Sequence, residues 1–145
     1  MDYEVQRDYC VGGTIYASTA HMESKTRTTV HEYGHVLEHT LPGVHEAAKA
    51  YLEHCVGTES LEGLKAKFPG SKFDSTEKGR KDGWEDYFGE QHAYYTGKHY
   101  AHGSTEIVSM GLEALYNDPI GFAAKLPEFF RLIVGCLQGI FTVKP

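Results

Sequence analysis

The sequence predicts an α+β fold, mostly helical, with a small sheet near the N-terminus beside its first long helix. Three observations carry this expectation. Apolar residues recur at helical spacing in several stretches bounded by Gly and Pro. One short run, Thr14-Ile15-Tyr16-Ala17-Ser18, instead mixes β-branched and aromatic residues just after Gly12-Gly13 and reads as a strand. A length of 145 residues suits one domain, 1–145, large enough to bury a core without disulfide or metal staples.

The elements follow in chain order. After the strand, residues 21–27 are polar and read as a loop. The spacing of Val30, Leu37 and Leu41 predicts a helix over 28–40, which Pro42-Gly43 stops. A second helix is expected over 44–56, ended by Gly57. Residues 68–103 are rich in Gly, Asp, Ser, Lys and aromatics, a composition that argues for loops and short strands. Segments of that length without a long regular element are often functional. Trp84, with Tyr87 and Phe88, reads there as a satellite core under a long loop, the alternative being an aromatic wall of a substrate cleft. A third helix is expected over 104–116, ended by Asn117-Asp118-Pro119. A last one is expected over 127–137, with Pro127 suited to its first position.

Composition narrows the function. Apolar content of 41% and charged content of 23% match ordinary globular chains. No stretch approaches the roughly 18 apolar residues of a membrane span. Met1-Asp2-Tyr3-Glu4 lacks a basic start followed by an apolar run, so no signal peptide is visible. The expected setting is the cytoplasm, or export as an effector. The net charge is −6, and the densest basic patch is the short Lys78-Gly79-Arg80-Lys81, which makes nucleic acid a poor partner. Cys10, Cys55 and Cys136 are odd in number, widely spaced and form no CxxC pair. They suggest buried small hydrophobes rather than a disulfide framework or a thiolate zinc site.

His31-Glu32-Tyr33-Gly34-His35 is an HExxH on a predicted helix. Residues four apart share a helical face, so both imidazoles reach one metal ion. Glu32 lies about 100° around the helix from His31, placed to take a proton from water rather than to bind the ion. Two imidazoles with a further carboxylate and one open position suit zinc. With 9 histidines in the chain, chance alone would produce such a pattern in about one chain in twenty of this composition. The flanking Thr28-Thr29-Val30 and Val36-Leu37 fit a half-buried helix and so favour the chemical reading. His45-Glu46-Ala47-Ala48-Lys49 begins alike but lacks the second histidine.

A catalytic zinc usually takes three protein ligands. Residues 35–41 lack the Gly and His continuation of a metzincin, so the third ligand is sought on a later helix. Glu106 is the first choice, at the head of a helix whose apolar face carries Ile107, Met110 and Leu115. A first-turn glutamate also satisfies the helix dipole without any ligand role. Glu113, on roughly the same face, and His102 are the reserves. Ser109, one turn beyond Glu106, is a candidate for orienting the histidines.

HExxH followed by a distant glutamate resembles the gluzincin group of zincin metallopeptidases. More narrowly, residues 29–35, 95–100 and 105–111 look like small zincin domains of bacterial and phage-associated proteins, some of them secreted effectors or toxins. The resemblance implies a zincin architecture, in which the strand over 14–18 lies beside the HExxH helix and pairs with an extended substrate. It implies hydrolysis of peptide bonds in a protein or peptide substrate, with His31, His35 and Glu106 on zinc and Glu32 as the base. Tyr94, Tyr95, His99 and Tyr100 precede Glu106, and Tyr100 is the expected donor to the tetrahedral oxyanion. The rival readings are a catalytically inactive zincin-shaped interaction module and a host-directed protease toxin or effector domain. A chain this short has little room for a second substrate-binding domain, so either a partner presents the substrate or the chain belongs to a larger protein.

Overall fold

The Pro-Gly break after the HExxH segment separates two long helices, and Pro119 and Pro127 open two later ones. The computed structural model describes residues 9–11, 14–16 and 25–139. Their order is β1 (Tyr9–Val11), β2 (Thr14–Tyr16), α1 (Lys25–Thr40), α2 (Val44–Val56), β3 (Glu62–Gly63), α3 (Leu64–Lys67), β4 (Lys78–Arg80), α4 (Glu85–Phe88), α5 (Glu90–Thr96), β5 (Gly97–His99), α6 (Ile107–Asn117), α7 (Pro119–Lys125) and α8 (Pro127–Gln138). The α+β expectation holds at this level, and helix dominates. The described residues fall into two compact units, one with those up to 44 and 108–139, the other with 45–107.

In the first unit, β1 and β2 form an antiparallel hairpin with Cys10 opposite Ile15, and both strands lie against α1. The expected strand end at Ala17 and Ser18 falls outside the described residues. α1 starts at Lys25, within the stretch expected to be loop. Its buried face differs from the apolar stripe that the spacing suggested. Of the three apolar markers only Leu37 is buried, while Leu41 is 39% exposed. The buried residues His31, Gly34 and Glu38 instead fall at i, i+3 and i+7, one helical face. This helix packs through a polar and small-residue face.

Gly34 explains how such a face can pack. A Cβ built there would lie 2.5 Å from Ser109 Cα and 2.7 Å from Ser109 N. The backbone of α6 therefore rests directly on α1. From Val108 to Leu112 every residue of α6 is buried, the pattern of a helix enclosed on all sides. Gly111 admits Ile133 and Phe129 of α8 in the same way.

Asp118-Pro119 does end α6, but it also starts a helix that the sequence reading lacked. Asp118 accepts from Gly121 N at 3.1 Å with Pro119 at the first helical position, a capped N-terminus for α7. α8 begins at Pro127 and ends on Gly139, whose φ of 70° is the left-handed closure that glycine favours. Phe122 and Phe129 are fully buried and meet edge to face at 5.4 Å.

Cys136, on α8, is buried and free. Burial first, then the Glu38 carboxylate, pushes its thiol up to about 11. The raised value favours the folded state at ordinary pH, and that contribution is lost as pH rises through about 11. Alkylation of the native protein at pH 8 is expected to spare Cys136 while the half-buried Cys55 reacts. Equal labelling of the two, read by mass spectrometry, would contradict this environment.

In the second unit, β3, β4 and β5 form an antiparallel sheet in the order β3-β4-β5. The sheet content is thus not confined to the N-terminus, and α4 and α5 occupy part of the segment expected to be loops and strands. Gly97 lets β5 approach β4, because a Cβ there would lie 1.7 Å from the Arg80 carbonyl oxygen. Leu64, Phe73 and Tyr94 make a core flanked by Phe68 and Tyr95. Trp84 is 1% exposed and stacks on Tyr51 at 6.5 Å. It is a core residue, as the satellite-core reading anticipated. Among the described residues no helix is long and apolar enough to cross a membrane.

Candidate metal centre

Helical spacing within α1 brings His31, Glu32 and His35 together. One nitrogen of each imidazole and one Glu32 carboxylate oxygen all lie within 4.8 Å of one another. The two rings stand edge to face, with centroids 5.4 Å apart and an interplanar angle of 77°. His31 and Glu32 are buried and His35 is half-buried, whereas Tyr33, pointing the other way, is 50% exposed. A buried carboxylate is costly unless it is paired or near a cation. Two imidazoles and a carboxylate converge on one volume as a group that could hold a metal ion.

His31 is also engaged from α6. Its Nδ1 lies 3.1 Å from Glu113 Oε2, and Glu113 Oε1 lies 3.2 Å from Arg27 Nε. Glu113 is on α6 and Arg27 one turn before His31 on α1. Ser109, the expected partner of the histidines, instead presents its backbone to Gly34, and its buried hydroxyl finds no hydrogen-bond partner among the described residues.

The other expected site residues belong to the second unit. Glu106 immediately precedes α6 and is 1% exposed. The helix begins after it because Thr105 Oγ1 accepts from Ile107 N at 3.2 Å. The Tyr100 hydroxyl donates to Glu106 Oε1 at 2.5 Å. Burial, then the negative charge of Glu106, holds that hydroxyl well above the ordinary tyrosine range, so it remains a donor. His102 is exposed and stacks on Tyr100 at 5.1 Å. Tyr94 donates to Glu62, His99 is exposed and Tyr95 packs in the core.

Sequence reasoning missed a buried cation beneath these aromatics. The Lys98 side chain is 4% exposed and pairs with Glu77. Its ammonium sits 4.7 Å from the Tyr100 ring centre and 5.3 Å from that of Tyr95, close enough for cation–π attraction. The only local signal was a lysine in the short Gly97-Lys98-His99 strand, which does not announce burial.

Comparison with protein-family models, curated proteins and solved structures finds no match to this chain.

Proposed function

We propose that this chain is a zinc metallopeptidase of the gluzincin type. The carrying observation is the convergence of the His31, Glu32 and His35 donor atoms within 4.8 Å on a buried helical face. When bound, zinc supplies the Lewis acidity that polarises a scissile carbonyl and activates water. His31 and His35 hold the ion through ring nitrogens. Glu32 takes the proton of the attacking water and returns it to the leaving amine.

For the third ligand the sequence pattern alone, an HExxH followed by a glutamate at the head of a later helix, names Glu106. Its bond from Tyr100 supports this role, since ligating carboxylates are themselves held by hydrogen bonds. The single O–H of Tyr100 is committed to Glu106, so its expected role as oxyanion donor gives way to holding that carboxylate. The substrate is a protein or peptide, and the choice of peptide bonds over other amides rests on the zincin resemblance.

Metal analysis tests the assignment. Wild type supplied with zinc is expected to retain a single ion, and His31→Ala and His35→Ala to lose it. Glu106→Ala is expected to weaken binding sharply; tight binding by that variant would move the third ligand elsewhere, with His102 next. Wild type that retains no zinc would end the enzyme reading.

A further inference from the structure

The contact between His31 and Glu113 joins residues 82 positions apart and involves Nδ1 of the ring. From it we infer that Glu113, braced by Arg27, is a positioning residue that fixes the tautomer of His31. The inference rests on the proposed zinc reading and extends it to a residue outside the ligand set. A carboxylate can only accept a hydrogen bond, so the 3.1 Å contact requires the proton to sit on Nδ1. In the neutral ring the lone pair is then on Nε2, at the opposite edge of the imidazole, where it is open to a metal ion.

On this reading Glu113 is not itself a ligand. Its carboxylate engages the ring edge away from Nε2, so one ring separates it from any ion that Nε2 binds. Both Glu113 oxygens are engaged, Oε2 by His31 and Oε1 by Arg27. Arg27 is half exposed, with a side chain 54% accessible, while that of Glu113 is 21% accessible. An ion pair so open to solvent adds little stability. What Arg27 does is aim the carboxylate, through a planar guanidinium whose donors have fixed directions. Carboxylates in this position hold the ligand ring in place and raise its basicity, and their removal typically weakens metal binding by about 10–100-fold.

The test uses the full chain, first without metal. Nitrogen-15 correlation spectra of the imidazoles at pH 8 are expected to show His31 protonated on Nδ1 in wild type and to lose that preference in Glu113→Ala. Zinc affinity, measured by competition with a chromophoric chelator, should then fall about 10–100-fold in Glu113→Ala. Glu113→Gln, whose amide oxygen still accepts from Nδ1–H, should recover most of that loss. Arg27→Met should cause a smaller, severalfold loss, and it keeps the test open if Glu113→Ala does not fold.

A wild-type His31 protonated on Nε2 overturns the inference whatever the metal content. So does a Glu113→Ala protein that melts at a lower temperature yet binds zinc as tightly as wild type, since the contact would then be structural only. Wild type that binds no zinc at all overturns the metal reading and this role together, which distinguishes that failure from the other two.

Discussion

Replacing Glu32 by Gln is expected to leave zinc content at the wild-type level while peptide-bond cleavage falls by about 10²–10⁴-fold, the range supplied by a positioned general base. The substitution keeps the shape of the side chain and removes only its capacity to accept and return a proton. Glu32 is 6% exposed and its carboxylate lies with the two imidazole nitrogens. A zinc site with a purely structural role has no use for a base beside the ion, so the two variables separate the readings. Cleavage is best followed as new N-termini produced from a proteome-derived peptide mixture, because no particular substrate need then be assumed. Loss of cleavage with zinc retained supports the peptidase assignment. Cleavage at the wild-type rate by Glu32→Gln would place the base elsewhere. A zinc-loaded wild type that cleaves nothing in such a mixture would favour the interaction-module reading.

The parts of the structure legible in the sequence are those set by local spacing. Residues 44–56 and the start of the last helix were read at their observed bounds because their stop and start signals, Gly57 and Pro127, lie next to them in the chain. The HExxH cluster was legible for the same reason, since one turn of helix brings His31 and His35 together. Pairings across the chain were not. β3, β4 and β5 are two or three residues long, too short to show an alternating pattern, and they meet only in the fold. Asp118-Pro119 served as both a stop and a cap, and reading only the stop lost α7. Glu113 shows the same limit within the site. Its chemistry made it a candidate ligand, but only the fold reveals that it addresses Nδ1 of His31. Tyr100 and Glu106 are six residues apart in a loop-rich stretch where no regular spacing predicts contact, yet the hydroxyl reaches the carboxylate.

Gly34→Ala is expected to be the most damaging single-methyl change in the first unit. The added carbon would lie 2.5 Å from Ser109 Cα, 2.7 Å from Ser109 N and 2.7 Å from its Oγ. Backbone on the opposing helix cannot rotate away as a side chain can, so α1 and α6 must separate. Overpacking of a close contact costs about 1–3 kcal/mol where side chains yield, and a backbone clash belongs at or beyond the upper end. For a domain of this size roughly 3 kcal/mol lowers the melting temperature by about 6–12 °C. Gly111→Ala provides a comparison, because its new carbon meets the movable Ile133 side chain at 2.3–2.4 Å and Phe129 at 2.8 Å, and should cost less. Gly63→Ala is the control: its φ of −69° suits alanine and no atom lies within 4 Å, so it should stay within about 0.5 kcal/mol of wild type. Separation of α1 from α6 would also pull His31 from Glu113, so zinc affinity should fall with stability in Gly34→Ala but not in Gly63→Ala. A Gly34→Ala protein that melts within a degree of wild type would mean that the two helices do not meet at this glycine, and the support drawn for His31 from α6 would go with it.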